Sequence, residues 1–306
     1  MRRCLPKPRA PAGFTLIELI IVIVISGIIA AIAGIFILRP IQGYNAQARR
    51  ADMVDSAESA LRRMQRDIRA ALPNSVRITT NNATVDDVTC PNGADTVCVI
   101  EMLHNVDGAR YRAGPPSDPL LFDGSDTEFD VIGTLQNAGT SINSNYWIVI
   151  NNQTASGASF NAYNCPPAPA GSSHNCVHLN ATGSSASHVV LGAAFSPTSP
   201  PLASPQQRFY IVDTPVTFRC DSTAGTLTRY QGYTIAAGQP VAAGDFAGGS
   251  NARVANLITA CRFTYTAGTS QRAGVVTLEL TVTDPDVNGQ SESVRLLHQV
   301  HVYNVP

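Results

Sequence analysis

The chain has 306 residues, 44% of them hydrophobic and 14% charged, with 21 Lys and Arg against 22 Asp and Glu for a formal net charge of −1. That length accommodates one large domain or two small ones with a sizeable core. Beyond residue 13 the balance is mildly acidic, 17 basic residues against 22 acidic, and no basic patch is interleaved with aromatics, which argues against nucleic-acid binding.

The chain opens on a short basic flank, Arg2, Arg3, Lys7 and Arg9, with no acid among them. An apolar run follows from Phe14 to Leu38, in which the single ionisable side chain is Glu18. Wound as a helix this run is about 37 Å long, enough to cross a hydrocarbon core of about 30 Å with some tilt. The positive flank stays on the cytoplasmic side, which predicts that the remainder is exported. A carboxylate this early in a membrane helix costs roughly 3 kcal/mol, so Glu18 is expected to have a partner or a function. The competing reading is a secretory signal peptide, since Ala31-Ile32-Ala33 resembles an A-x-A cleavage site. Against it, the apolar run continues past that site to Leu38 and holds a glutamate.

Pro40 removes a backbone donor and is expected to kink or loosen the helix near residues 36–40. From Ala46 to Leu72 a helical pattern resumes. Val54, Ala57, Leu61, Met64, Ile68 and Ala71 recur at steps of three and four, one apolar stripe of an amphipathic helix. The other faces carry charges such as Arg49, Asp55, Arg63 and Asp67, read as solvated surface, and Glu58–Arg62 is a favourable i, i+4 pair. Pro73 disfavours helix at the residue before it and ends the pattern.

Beyond Ser75 the period changes to that of strands. Segments 75–79, 96–103, 146–150, 187–191, 208–212, 214–219 and 227–230 read as strands, with 104–127, 151–187 and 196–207 as turn-rich surface loops. The clearest β signal is C-terminal. Val276, Leu278, Leu280 and Val282 share one face; Val294, Leu296, His298, Val300 and Val302 repeat the alternation, and Asn288-Gly289 supplies the turn. A long helix followed by such strands predicts an α+β fold, the helix packed on an antiparallel sheet.

Of seven cysteines, Cys4 precedes the apolar run and six follow it, an even number in a compartment where disulfides form. Their spacing favours the sequential pairs Cys90–Cys98, Cys165–Cys176 and Cys220–Cys261.

Few constellations carry chemistry. Asp284-x-Asp286-x-Asn288-Gly289 resembles the start of a calcium loop, but position twelve is Arg295 and strands flank it. Glu292 can still join Asp284, Asp286 and Asn288 around a calcium ion; a polar hairpin turn is the simpler reading. His174 and His178 bracket Cys176, which is better used in a disulfide than in zinc binding. His298 and His301, three apart on a strand, point to opposite faces and do not chelate together. With no nucleophile elbow, phosphate loop or zinc helix motif, neither enzyme activity nor a cofactor is expected.

The stretch Gly13-Phe14-Thr15-Leu16-Ile17-Glu18-Leu19 resembles the class III leader of type IV pilins and type II secretion pseudopilins. The resemblance implies cleavage between Gly13 and Phe14 by a prepilin peptidase and N-methylation of Phe14. It also implies that Glu18 pairs with the N-terminal amine of a neighbouring subunit. It divides the chain into a leader (1–13), the membrane part of the helix (14–38), its amphipathic part (39–72) and a periplasmic β-rich body (73–306). Without the leader, 17 basic residues face 22 acidic ones. Phe218-x-Cys220, Gly225 to Tyr230, Cys261-x-Phe263-x-Tyr265, the ending Leu297 to Pro306, and Ala60 to Ser75 resemble the O-type minor pilins of the mannose-sensitive haemagglutinin (MSHA) pilus system. That likeness implies a structural role in initiating or priming a filament, or at its tip. Its implied partners are other pilins and the inner-membrane assembly platform, and its implied location is the inner membrane and then the cell surface. A larger minor pseudopilin and a tip adhesin, the latter with a ligand surface in 104–187, are the alternatives.

Overall fold

The computed structural model describes residues 13–81, 89–90, 95–157, 160–165, 175–195, 203–268, 273–285 and 291–302. The chain divides into two units, Met1–Ala51 and Asp52–Pro306.

Helix α1, Leu16–Arg69, is continuous through Pro40. Within the first unit its apolar side chains are exposed, Leu16, Ile17, Ile23, Ile29 and Phe36 among them. This is the one helix among the described residues long and apolar enough to cross a membrane.

In the second unit the end of α1 is core. Met53, Ala57, Ala60, Leu61, Met64 and Ile68 are buried. The stripe read from the sequence thus gains Met53 and Ala60, and Val54 is half-buried. The helix stops at Arg69 because the next backbone groups bond elsewhere. The Asn105 N–H donates to the Ala70 carbonyl and the Leu72 N–H to the Leu103 carbonyl. Asn74 then takes a left-handed conformation, φ 58°, which asparagine tolerates better than most residues.

The strands that follow are β1 (Arg77–Thr80), β2 (Thr89–Cys90), β3 (Val97–Tyr111), β4 (Glu128–Ile132), β5 (Trp147–Ile150), β6 (Cys176–Asn180), β7 (His188–Leu191), β8 (Arg208–Asp221), β9 (Thr226–Gln231), β10 (Ser250–Asn256), β11 (Ile258–Thr266), β12 (Gly274–Pro285) and β13 (Ser291–Val302). They form two antiparallel sheets rather than one. The larger runs β1-β3-β4-β7-β6-β5-β8-β9-β10, with an additional pairing of β3 to β8; the smaller runs β13-β12-β11-β2.

The β3–β8 pairing runs from Val97↔Asp221 to Arg110↔Arg208 and serves two cores. Towards Val97 it carries Ile100, Met102, Val216 and Phe218, which pack in one cluster with α1 and with Val276, Leu278, Leu280, Val300 and Val302 of the smaller sheet. Towards Tyr111 the strands curl into a closed ring. β3 pairs with β4, β4 with β7, β7 with β6, β6 with β5, and β5 with β8. Closure removes the open edges that such short strands would otherwise present. The interior is a separate core of Tyr111, Phe129, Val131, Ile148, Ile150, Val177, Leu179, Val189, Leu191, Phe209 and Ile211. Phe129 meets Phe209 edge to face with centroids 5.1 Å apart. On the outer wall Asp130 and His188 lie opposite each other in register, with His188 Nδ1 2.9 Å from Asp130 Oδ1. That hydrogen bond raises the imidazole above its ordinary pKa and holds the carboxyl below its own.

Two expected loops are therefore partly strand: residues 104–111 continue β3, and 176–180 are β6. Strands β2, β4, β10 and β11 have no counterpart among the segments expected from the sequence.

Three disulfides join Cys90 to Cys98, Cys165 to Cys176, and Cys220 to Cys261. The third ties β8 of the larger sheet to β11 of the smaller and closes a span of 41 residues. Replacing Cys220 and Cys261 together by alanine is expected to destabilise the chain by about 2–4 kcal/mol, chiefly through the freed unfolded state. Trp147 is the sole tryptophan and 5% exposed, so its fluorescence during denaturant unfolding measures the loss directly. An unchanged midpoint would remove this bridge from the list of stabilising elements.

Candidate assembly site

The start of α1 is built by a capping pattern. Thr15 precedes the first helical residue, and its Oγ1 accepts a hydrogen bond from the Glu18 N–H at 3.4 Å. This is half of the S/T-x-x-E capping box, and it satisfies one of the donors that a helix N-terminus leaves open. The sequence reading named Gly13, Phe14 and Glu18 and missed Thr15. The signal was present, since Thr15 and Glu18 are three apart at the head of an apolar run.

Phe14 is 81% exposed and immediately precedes Thr15. Glu18 is exposed, and among the described residues its carboxylate has no hydrogen bond or ion pair. Its backbone N–H serves the start of the helix, and its side chain is exposed. The leucine and isoleucine side chains around it are exposed as well, Leu16 at 76% and Ile17 at 62%. A lone carboxylate on an exposed apolar helix favours a surrounding that is both hydrophobic and able to supply a cation, since an unpaired charge in hydrocarbon is costly.

Residues 8–34 match the prokaryotic N-terminal methylation motif. The match supports a class III leader of the type IV pilin kind. It covers the Gly13–Phe14 junction and the first part of α1, and it does not extend into the β-rich body. No curated protein and no solved structure matched the chain. The motif, the membrane-length helix and the antiparallel sheets together have the layout of a type IV pilin or pseudopilin.

Other residues singled out from the sequence fall elsewhere. Asp284 and Glu292 face each other across the β12–β13 pairing, while Asp286 and Asn288 lie outside the described residues. Among the described residues no three His, Cys, Asp or Glu side chains are grouped to hold a metal ion. Cys176 is in its disulfide, and His174 lies outside the described residues. His178 is buried beside Trp147, ring centroids 3.6 Å apart. Burial pushes its pKa down, which keeps the ring neutral. His298 is half-buried and His301 exposed, as expected from opposite faces of β13.

Proposed function

We propose that this chain is a minor pilin of an MSHA-type type IV pilus, with a structural role in initiating or priming filament assembly or at the filament tip. The observation that carries the reading is Glu18, a carboxylate with no partner among the described residues and the single charge in the exposed apolar run that opens α1. It sits at the fifth position after the Gly13–Phe14 junction, where an amine freed by cleavage becomes available as the cation of a neighbouring subunit. The proposed mechanism has three steps. The leader peptidase cuts after Gly13, and the new amine on Phe14 is methylated. That amine pairs with a carboxylate of a neighbouring pilin, or Glu18 accepts the neighbour's amine. The apolar helix then passes from lipid into the core of the filament, so its exposed leucines and isoleucines stay out of water throughout. No catalytic step and no cofactor enter this scheme. Other pilins, the prepilin peptidase and the assembly platform are its partners.

The body supports a minor rather than a repeating subunit through its size: it carries two sheets and a closed ring with its own core. The ring also favours a second reading, a tip adhesin, because it presents loops on a rigid closed scaffold. A larger minor pseudopilin shares the same leader and helix; loss of piliation against loss of secretion on deletion separates the two.

The N-terminal mass of the protein isolated from membranes tests the reading. The expected chain begins at methylated Phe14. A chain beginning at Gly34, after the Ala31-Ile32-Ala33 stretch, would mean an ordinary signal peptide and would end the assembly reading.

A further inference from the structure

We propose that the body holds a binding site for a small oxyanion, carboxylate or phosphate, in a cavity of about 350 Å³ where the end of α1 meets β3, β8, β9 and β10. Its lining includes Arg63, Asp67, His104, Asp213, Arg229 and Ser250.

The charges inside it do not cancel donor for acceptor. Asp67 is shared by two guanidinium groups, with Arg229 Nε at 2.5 Å and Arg63 Nε at 3.5 Å. His104 Nδ1 lies 2.9 Å from Asp213 Oδ1. Three basic side chains thus face two carboxylates. Arg229 also donates to Gln231 Oε1. After these contacts, Arg229 Nη2, both Nη groups of Arg63 and His104 Nε2 have no hydrogen-bond partner among the described residues. The Asp67 and Arg229 side chains are 13% and 10% exposed, so this is a recessed group and not a solvated surface pair, while Arg63 at 44% stands at the opening. Surplus N–H donors from planar guanidinium groups are matched by an anion with two or more oxygens, because such a ligand accepts from a guanidinium in bidentate fashion. An uncharged ligand would leave the positive surplus uncompensated.

The surplus depends on pH. The Asp213 hydrogen bond raises His104 above its ordinary pKa; Asp67 on α1 adds to the rise, and Arg229 on β9 opposes it. With His104 protonated the cavity carries one net positive charge, and with it neutral none. Anion affinity is therefore expected to grow as pH falls through the raised histidine value.

The test titrates the full chain in detergent micelles by calorimetry with inorganic phosphate and, separately, with glucuronate; glucose is the neutral control. At least one anion is expected to bind at pH 6 with a Kd on the order of 1 mM; for glucuronate, whose charge is constant over this range, binding is expected to weaken at pH 8. Arg63→Gln, at an exposed helix position, should weaken binding about tenfold. His104→Gln should leave residual glucuronate binding that no longer changes with pH, because the glucuronate carboxylate keeps its charge across this range. Phosphate binding alone would assign a phosphorylated ligand, and glucuronate binding alone a carboxylate-bearing sugar. Silence from both anions at pH 6, equal binding by glucose, or full affinity in Arg63→Gln would overturn the proposal. None of these outcomes bears on leader processing or on Glu18, so the pilin reading stands or falls separately.

Discussion

Glu18→Ala is expected to leave cleavage and methylation at Phe14 intact and to abolish incorporation of the chain into filaments. The junction between Gly13 and Phe14 lies ahead of Thr15, and alanine at position 18 keeps the helix and the Thr15 hydrogen bond, which uses the backbone N–H of residue 18. What disappears is a driving force. In lipid, an unpaired carboxylate near the head of a membrane helix costs roughly 3 kcal/mol, and an inter-subunit pair with an amine relieves that cost. Alanine removes both the cost and the relief, so the proposed gradient from bilayer to filament vanishes. In an assembly equilibrium roughly 3 kcal/mol corresponds to a change of about 100-fold. Immunoblots of sheared filaments against membrane fractions measure the partition. Glu18→Gln should behave like alanine, since a neutral amide does not balance an amine, whereas Glu18→Asp should retain part of the activity. Wild-type amounts of the alanine variant in filaments would remove Glu18 from the mechanism.

How much of this was legible in the sequence differs by element. The N-terminal helix was readable because its signals are local: an uninterrupted apolar run and then a stripe at steps of three and four. The β12–β13 hairpin was readable for the same reason, since Val276 to Val282 alternate and their partners follow within one turn; the pairing runs without a register shift from Gly274↔Val302 to Pro285↔Ser291. The ring was not. Its strands are short, and β4 places only Phe129 and Val131 inward, alternating with charged Glu128 and Asp130, so it looks like the polar loop before it. β3 and β8 carry two different cores on one pair of strands, and the partners Ala109 and Phe209 are about one hundred positions apart. Nothing in a local period reveals that pairing. At the candidate assembly site the ionisable residue stood out, while Thr15 did not, because a lone threonine beside a long apolar run reads as part of that run. The cavity around Asp67 was invisible for a third reason: Arg63 and Asp67 on α1 read as solvated surface until β3, β8 and β9 bring His104, Asp213 and Arg229 beside them.

Arg77→Met is expected to be the most damaging single substitution in the body. Glu101 on β3 is 0% exposed, and Arg77 on β1 lies opposite it in register with Nε 2.7 Å from Glu101 Oε2. Tyr233 donates to the other carboxylate oxygen at 2.7 Å, and its hydroxyl is also 2.6 Å from Thr217 Oγ1. The same guanidinium donates to the carbonyls of Ala236 and Ala237 and lies 3.5 Å over the Tyr163 ring. One side chain therefore neutralises a buried charge and fastens the 236–238 segment to β1. Removing it leaves an uncompensated carboxylate in the interior, which costs roughly 3–5 kcal/mol, several times what an exposed pair contributes. The pH dependence separates that cause from lost packing. Burial raises the Glu101 carboxyl, while Arg77 and Tyr233 pull it down. Without Arg77 the carboxyl moves further up, so the folded variant holds a proton that the unfolded chain releases between the ordinary glutamate value and the raised one. Across that window the variant loses stability as pH rises. Its deficit against the wild type is expected to be smallest in acid and largest near neutrality, read from Trp147 fluorescence during denaturant unfolding. Adding Glu101→Met should return part of the loss at neutral pH, because two apolar side chains replace the pair without leaving a charge. A deficit that stays constant between acid and neutral pH would mean that Arg77 acts through its carbonyl contacts alone and that Glu101 is not the origin of the cost.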